Sequence, residues 1–220
     1  MDNKYLGKGI YSIAYASRLT NIYERIHPAK INRWVKGYKG KNSILTVDYD
    51  PINGFYSLSF LDLIELFFIN AFRKHGVSLR TIKNAYTKAQ KLLQSNHPFS
   101  TFKFKTDGAK ILAELGEVEL MDLLTDQLVI MKIVNPFLKD VLEFDNDIVQ
   151  RWWPLGKDRL VVLDPNRNFG RPIVDREGVP VEALANAYKA EQSIESVASW
   201  FEVSNESVKD AVDYYYKLAA

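Results

Sequence analysis

The feature that most constrains this chain is a short helix, predicted over residues 28–37, which we call the basic helix. Its apolar residues, Ile31, Trp34 and Val35, lie at positions i, i+3 and i+4, the pattern of a helix that buries one face. The segment opens on a proline and ends at a glycine, as helices commonly do. A second short helix is predicted over residues 11–19, so the pair has the pattern of a helix-turn-helix.

Polar and mostly cationic side chains surround the buried face of the basic helix. Seven of them are candidate DNA contacts: Lys30, Asn32, Arg33, Lys36, Tyr38, Lys39 and Lys41. Arginine and lysine suit guanine edges, asparagine suits adenine, and flanking lysines suit phosphate. The second helix of a helix-turn-helix enters the major groove. We therefore expect the basic helix to bind duplex DNA.

Charge is distributed unevenly along the chain. Residues 1–47 hold nine lysines and arginines against two acidic residues, and residues 73–110 hold nine against one. Residues 114–150 reverse this balance, with nine acidic residues against two basic ones, and residues 181–220 carry seven against three. The basic front suits a polyanion and the acidic back does not. A single basic block could be merely a solvated face, but two such blocks in one N-terminal unit weaken that alternative.

A β-hairpin is predicted directly after the helix pair. Strand-like runs over residues 44–58 flank Asn53-Gly54, which is a strong signal for a tight two-residue turn. A hairpin in this position is a wing. Two further helices are predicted to follow, the first capped by Ser59 and the second by Ser78.

These elements predict an α+β fold in three parts. Residues 1–97 would form a winged helix-turn-helix with its following helices. Residues 98–164 would form a strand-rich connecting region, with a second hairpin around Asp107-Gly108. Residues 165–220 would form a hairpin followed by a three-helix unit that binds a protein or self-associates. A second helix-turn-helix is the alternative for this last part, but its acidic balance argues against DNA binding.

The sequence offers little support for catalysis, a metal or a cofactor. The absence of cysteine excludes disulfides and thiolate zinc sites. The three histidines lie in different segments, and each is expected to be a surface or capping residue. The acidic run at 140–147 suits a solvated loop better than a cation site. No signal peptide or membrane span is evident, so a cytoplasmic protein is expected.

Two adjacent tryptophans, Trp152 and Trp153, stand beside Arg151 in the strand-like segment "QRWWPLGK". Neighbouring side chains on a strand point to opposite faces, so one tryptophan would pack inward. The other could anchor the core or belong to an interface, where tryptophan and arginine are enriched.

Two parts of the sequence resemble known modules. "YSIAYASRLTNIYERIHPAKINRWVKGY" with "YSLSFLDLIELFFINAFRKHGVSLRTIKNA" is similar to a MerR-like winged helix. "FGRPIVDREGVPVEALANAYKAEQSIESVASWFEVSNESVKDAVDYY" resembles a small antitoxin domain first catalogued as a domain of unknown function. Together they resemble VapB-type antitoxins with an N-terminal MerR-like domain. Two departures are the eight residues between Leu19 and Pro28, and a strand-rich region in place of the long MerR dimer helix.

The resemblance implies a type II antitoxin that neutralises a PIN-like ribonuclease toxin and represses its own operon. A basic residue inserted into the acidic pocket of such a nuclease could inhibit it, and Arg151, Arg171 and Arg176 are the candidates by position. A homodimer is expected because one short helix gives little affinity for DNA, whereas paired half-sites double the contacts. The main alternative is a stand-alone MerR-like repressor with no toxin. A nucleic-acid-processing enzyme is a third, weaker alternative, which would show metal-dependent turnover.

Overall fold

The structure is a computed structural model that describes residues 6–38, 42–104 and 141–219. It mixes helices with short antiparallel strand pairs, which confirms the α+β class. In chain order the elements are β1 (Tyr11–Ser12), α1 (Ile13–Thr20), α2 (Pro28–Lys36), β2 (Ser57–Leu58), α3 (Phe60–Lys74), α4 (Leu79–Leu93), a 3-10 turn (Pro98–Ser100), β3 (Leu142–Asp145), β4 (Ile148–Trp152), β5 (Val161–Val162), a second 3-10 turn (Asn168–Gly170), β6 (Ile173–Val174), α5 (Val181–Glu191), α6 (Ile194–Phe201) and α7 (Asn205–Ala219).

Local capping explains where the predicted helices begin. The Ser59 hydroxyl accepts a hydrogen bond from the backbone N–H of Asp62, and the Asp62 carboxylate accepts one from the N–H of Ser59. This reciprocal pair satisfies two of the free N–H groups at the start of α3. Ser78 and Ser193 cap α4 and α6 in the simpler one-bond form. The predicted starts of α3 and α4 are confirmed.

The predicted 44–58 hairpin is reduced to its turn. Ile52 and Phe55 exchange backbone hydrogen bonds of 3.0 and 2.9 Å around Asn53 and Gly54, but the flanking segments do not pair with each other. The prediction that the two strand-like runs pair with each other is therefore wrong.

Both arms of this predicted hairpin have other partners. On the first arm, the N–H groups of Ile44 and Leu45 donate to the Trp34 carbonyl at the end of α2. On the second arm, Ser57 and Leu58 form β2, which pairs with β1. Long-range pairing has replaced the local ladder.

Residues 141–219, which we call the C-terminal part, contain two strand pairs and three helices. β3 pairs with β4, and β5 pairs with β6, both antiparallel. Helices α5, α6 and α7 pack on one another, as predicted for the three-helix unit. The second predicted hairpin, around Asp107-Gly108, lies outside the described residues.

Side chains from all three predicted parts share one large buried cluster. Trp152 donates from its ring N–H to the Tyr23 hydroxyl over 3.1 Å, and its ring lies 4.9 Å from that of Phe67, centroid to centroid. At a second contact, the Tyr11 hydroxyl donates to the Gly170 carbonyl over 2.7 Å. The strand region and the C-terminal unit are therefore packed directly on the N-terminal helices. The division at residues 97 and 164 stays a prediction.

Candidate functional site

The basic helix is α2, and its two faces differ as predicted. Ile31, Trp34 and Val35 are buried at 0%, 4% and 3% exposure, while Lys30 and Arg33 are exposed. His27 precedes the helix and its ring nitrogen accepts from the Ala29 N–H, so the first turn is capped. At the other end, Gly37 has a φ of 82°, a conformation that favours glycine and stops the helix.

Aromatic rings hold two cations of α2. The Arg33 guanidinium lies 4.9 Å from the centroid of the Tyr38 ring, and the Lys36 ammonium lies 5.2 Å from that of Tyr56. Such contacts orient a cation without neutralising it. In the described part of the chain, neither Arg33 nor Lys36 forms an ion pair with a carboxylate. Both charges therefore remain available to an external anion.

The other candidate contacts around α2 differ in availability. Tyr38 is exposed, as expected for a surface contact. Asn32 is half-buried, and its side-chain amide donates to the Pro28 carbonyl of its own helix over 3.2 Å. An adenine contact by Asn32 would require that bond to break. Lys39 and Lys41 lie outside the described residues.

A second group of cations faces the end of α2 from α4. An open groove is lined by Arg33 and Tyr38 on one side and by Leu79, Arg80 and Lys83 on the other. Helical spacing places Arg80 and Lys83 on the basic face of α4, but spacing alone does not connect that face with α2. The amphipathic pattern of α4 was the available signal, and only the fold shows that this face meets the basic helix.

The turn of the reduced hairpin projects beside the basic helix. Its two apolar residues, Ile52 and Phe55, are 67% and 79% exposed. The next residue, Tyr56, lies under the Lys36 ammonium, which places the turn close to the C-terminal end of α2. The turn therefore lies near α2, but it lacks the paired strands predicted for a wing.

The tryptophan pair belongs to the core. Trp152 is 1% exposed within the main cluster, and Trp153 is 9% exposed against Val162 and Ile173. Alternation does send them to opposite faces, but both faces are covered. Both rings are buried, which favours the core interpretation, and the assignment of Trp152 and Trp153 as partner contacts stays a prediction. Neighbouring Arg151 is also engaged, since its Nε lies 3.1 Å from an Asp164 carboxylate oxygen.

The two remaining candidate partner contacts lie on the surface. Arg171 is exposed, and its guanidinium lies 5.6 Å from the centroid of the Tyr15 ring. Arg176 is exposed in the turn between β6 and α5. Both side chains can reach a partner.

A buried group of ionisable side chains lies beneath the segment that follows α2. It comprises Asp48, Asp62, Glu65 and His97, which we call the buried polar cluster. One ligand atom from each of Asp48, Asp62 and His97 lies within 4.8 Å of the other two. The His97 ring donates from Nε2 to an Asp48 oxygen over 3.2 Å. Its other nitrogen, Nδ1, lies 3.8 Å from Oδ1 of Asp62, which is too long for a hydrogen bond.

The environment of the buried polar cluster shifts several pKa values. Burial raises the pKa of Glu65 to about 8 and that of Asp62 to about 6. Burial opposes ionisation of Asp48 too, but its hydrogen bond and charge interaction with His97 lower its pKa to about 2. Burial would lower the pKa of His97, yet the bond to Asp48 and the surrounding carboxylates raise it.

Sequence reasoning did not foresee the buried polar cluster. His97 was expected at the surface or at a helix end, but it is only 6% exposed. The available signal was Glu65, a charged residue inside the apolar run of α3 that is fully buried. Asp62 lies one turn before it on the same helix face. Nothing local indicates that Asp48 and His97 approach that face.

Comparisons with known proteins relate most of the chain to an antitoxin-like protein. A family model described as a protein of unknown function, DUF433, matches residues 161–215. The candidate antitoxin VapB45 of Mycobacterium tuberculosis is 27% identical over 226 residues, covering 93% of this chain and 92% of that protein. The crystal structure of Rv2018 from Mycobacterium tuberculosis superimposes with a TM-score of 0.70 at 26% identity, covering 92% of this chain and 97% of that one. Along nearly its full length, then, the chain is antitoxin-like.

A search of the described residues for membrane-spanning helices is negative. None of the helices there combines the length and apolar character that crossing a bilayer requires.

Proposed function

We propose that this protein is the antitoxin of a type II toxin–antitoxin pair. In this proposal it acts in the cytoplasm, neutralises a PIN-like ribonuclease toxin and represses its own operon by binding duplex DNA. The similarity to VapB45, which spans 93% of the chain, is the observation that carries the antitoxin role. It involves the N-terminal helices as well as the C-terminal domain, so it supports one combined function.

The cations of α2 support the DNA-binding half of the proposal. Arg33 and Lys36 are oriented by Tyr38 and Tyr56 and have no carboxylate partner among the described residues. In a MerR-like winged-helix arrangement, α2 enters the major groove and these side chains meet base edges and phosphates. The Asn53-Gly54 turn would follow the backbone beside the groove.

The length of α2 supports the proposed homodimer. The helix runs from Pro28 to Lys36, and nine residues rise about 13 Å, which is less than half of one DNA turn. Two copies on adjacent half-sites would double the contacts and select a palindromic operator. Arg80 and Lys83 of α4 add cations next to each half-site, where phosphate contacts supply much of the affinity.

Exposed arginines of the C-terminal part support the toxin-binding half of the proposal. A ribonuclease that holds a metal with acidic residues presents a negative pocket, which an inserted arginine can fill. Arg171 and Arg176 are the exposed candidates for that role. Arg151 is the weaker candidate, because Asp164 and Glu143 already face its guanidinium.

A native pull-down from the source cells tests both halves together. The full-length tagged protein should recover its own promoter DNA and a small protein in near-stoichiometric amount. Expression of that small protein alone should stop growth, and coexpression of the full chain should restore it. Recovery of DNA without such a protein would leave the stand-alone repressor as the function.

Direct titration separates the DNA-binding claim from the antitoxin claim. A labelled duplex from the upstream region should bind with an affinity that falls steeply as salt rises, since cations of the protein displace counterions from DNA. A scrambled duplex of equal length is the control for specificity. Equal affinity for both duplexes would contradict operator recognition and leave only non-specific binding.

A further inference from the structure

We propose that a small cavity between α1, α5 and α7 receives one carboxylate group of the partner protein, bound by Arg18 and Arg171. The residues that line it include Tyr15, Glu182 and Tyr214, and we call it the arginine pocket. The inference rests on the proposed function, since it names a contact that would hold the toxin. An acidic group of the toxin enters this protein, which is the reverse of an arginine inserted into the nuclease.

Two arginines from distant parts of the sequence meet at the arginine pocket. The guanidinium carbon of Arg18 lies 5.7 Å from the centroid of the Tyr15 ring, and that of Arg171 lies 5.6 Å from it. Both side chains are exposed, and no carboxylate of the described residues lies within ion-pair distance of either one. Two like charges beside one cavity repel each other, and an anion bound between them would offset that repulsion.

The Tyr15 hydroxyl reports which charges surround the arginine pocket. Burial raises the pKa of Tyr15, the charges of Arg171 and Arg18 oppose that rise, and Glu182 adds to it. Both guanidinium groups therefore act on the same hydroxyl. Glu182 is exposed and brings one negative charge against the two positive ones. The balance around Tyr15 is positive, which favours an anion.

The backbone that carries the two arginines is held in place by local bonds. The Tyr11 hydroxyl donates to the carbonyl of Gly170, the residue before Arg171, over 2.7 Å. Arg18 lies on α1, whose first turn is capped by the Ser12 hydroxyl. Binding an anion therefore requires only that two side chains become ordered, which keeps the entropic cost low.

A buried hydroxyl without a partner also belongs to the arginine pocket. Tyr214 is 0% exposed, and its hydroxyl forms no hydrogen bond within the described residues. Burial raises the pKa of Tyr214, and Arg18 is the positive charge that opposes the rise, so the hydroxyl lies within the field of Arg18. Buried polar atoms almost always have partners. A carboxylate in the pocket would supply the acceptor that this hydroxyl lacks.

The first turn of α5 adds to the positive potential. This helix begins after Pro180, which provides no side-chain cap, and both Pro180 and Val181 line the pocket. The free N–H groups of a first helical turn carry a partial positive charge and favour a nearby anion. This contribution supports the one from the two arginines.

The size of the arginine pocket decides what can enter it. Its volume is about 130 Å³, whereas pockets that enclose a whole small molecule measure about 300–1,000 Å³. It would hold about four water molecules of roughly 30 Å³ each, so it admits one acidic group and no more. Aspartate and glutamate carry such a group on a larger body, and guanidinium binds carboxylates through paired hydrogen bonds. The acidic balance of residues 181–220 makes DNA phosphate an unfavourable source.

A carboxylate probe tests the arginine pocket without the toxin. In the ¹⁵N-labelled full-length protein, sodium acetate should shift the Nε–H signals of Arg18 and Arg171 in a saturable way. Each signal is assigned by its loss in R18K or R171K. Sodium chloride at equal ionic strength is the control and should not produce the same shift. Equal responses to the two salts would overturn the site.

Titration with the toxin recovered by pull-down tests the identity of the partner. R18A and R171A should each weaken toxin binding by about 10–100-fold, as expected for the loss of a hydrogen bond between charged groups. Because both arginines hold one carboxylate, the double variant should lose less than the product of the two single losses. K189A removes another exposed cation and should bind like the wild type. Melting temperatures verify that every variant is folded.

E182Q should act in the opposite direction. Neutralising the acid at the pocket should strengthen toxin binding by about two- to fivefold, because a competing negative charge is removed. Equal toxin binding by the wild type and the folded double variant would overturn the arginine pocket as a toxin contact, while the antitoxin role would stand. If the wild type recovers no toxin at all, the proposed function fails and this partner with it. The acetate titration then decides separately whether the pocket binds carboxylates.

Discussion

The cations of α2 and several cations of the C-terminal part have different partners. In the C-terminal part, Arg159, Arg167 and Lys217 each lie within 3.1 Å of a carboxylate of the same chain. On α2, Arg33 and Lys36 have aromatic neighbours and, among the described residues, no carboxylate partner. Paired charges stabilise a fold, whereas unpaired ones on one face attract a polyanion. The cations of α2 therefore differ from these three C-terminal cations in their partners, whereas Lys74 of α3 is paired with Glu24 and Arg171 lies beside Tyr15.

The largest effect is expected where the C-terminal part packs on β1. Gly170 has a φ of 79°, and an added Cβ there would overlap the Tyr11 hydroxyl oxygen. We expect G170A to lower the free energy of unfolding by roughly 2–4 kcal/mol, through backbone strain and steric overlap. Chemical denaturation measures this change.

Gly54 provides the matched control for Gly170. Its φ of 78° is nearly the same, but nothing lies within 4 Å of an added Cβ. G54A should therefore cost only the left-handed backbone penalty, about 1–2 kcal/mol. Equal losses in the two variants would show that the contact with Tyr11 contributes nothing.

The second test removes a buried carboxylate of the C-terminal part. Asp210 is 4% exposed, and its oxygens accept from Nε of Arg159 over 2.6 Å and from the N–H of Leu160 over 2.8 Å. D210A should lower the free energy of unfolding by about 2–3 kcal/mol, since it leaves both donors without an acceptor. DNA affinity measured on the folded protein should stay unchanged.

Asp213 is the control for Asp210 because it binds the same arginine from a more exposed position. D213A should cost about 0–1 kcal/mol, as exposed ion pairs do. A large loss of DNA affinity in D210A under conditions where the protein remains folded would contradict the division of roles between the two parts.

The third test concerns the unpaired cations of α2. R33A and K36A should each weaken operator binding by about 1–3 kcal/mol if they contact bases, and should lower the salt slope by roughly one if they contact phosphate. The free energy of unfolding should change by less than about 0.5 kcal/mol, because both side chains are at the surface. Fluorescence anisotropy at several salt concentrations measures the binding effects.

Lys189 offers a control on the acidic side of the molecule, since it is exposed on α5. K189A should leave both the affinity and the salt slope unchanged. Unaltered binding in R33A and K36A alike would remove α2 from the DNA interface.

The smallest expected effect belongs to α4. K83A should lower the salt slope by roughly one and weaken binding by about 1 kcal/mol or less, equally for operator and scrambled duplexes, because a lysine beside the groove contacts phosphate. An effect confined to the operator would instead assign Lys83 to base contact. Either result would show how Lys83 of α4 takes part in DNA binding beyond α2.

The sequence predicts best where the deciding contacts are local. The cap formed by Ser59 and Asp62, and the apolar spacing of Ile31, Trp34 and Val35, depend on neighbours within four positions, and both are present as predicted. The wing was only partly predictable. Asn53-Gly54 makes the expected turn. The pairing of β2 with β1 could not be predicted, because it joins residues that are distant in the sequence.

The candidate site was predictable to a similar degree. The exposed cations of α2 follow from helical periodicity, whereas the approach of Arg80 and Lys83 requires the packing of α4. His97 was misjudged for the same reason, since its partners Asp48 and Asp62 lie far away in the sequence. Such clusters form only through tertiary contacts, which periodicity does not report.

The contact between the first and last helices has a consequence for biosynthesis. The Asn21 side chain, just after α1, donates to the carbonyl of Leu218 near the end of α7 over 3.3 Å. Contacts between such distant residues slow folding and cannot form until the later segment has left the ribosome. The N-terminal helices must therefore wait, with part of their apolar surface uncovered, while some 200 residues are synthesised. We therefore expect the nascent chain to be most prone to aggregation during that interval.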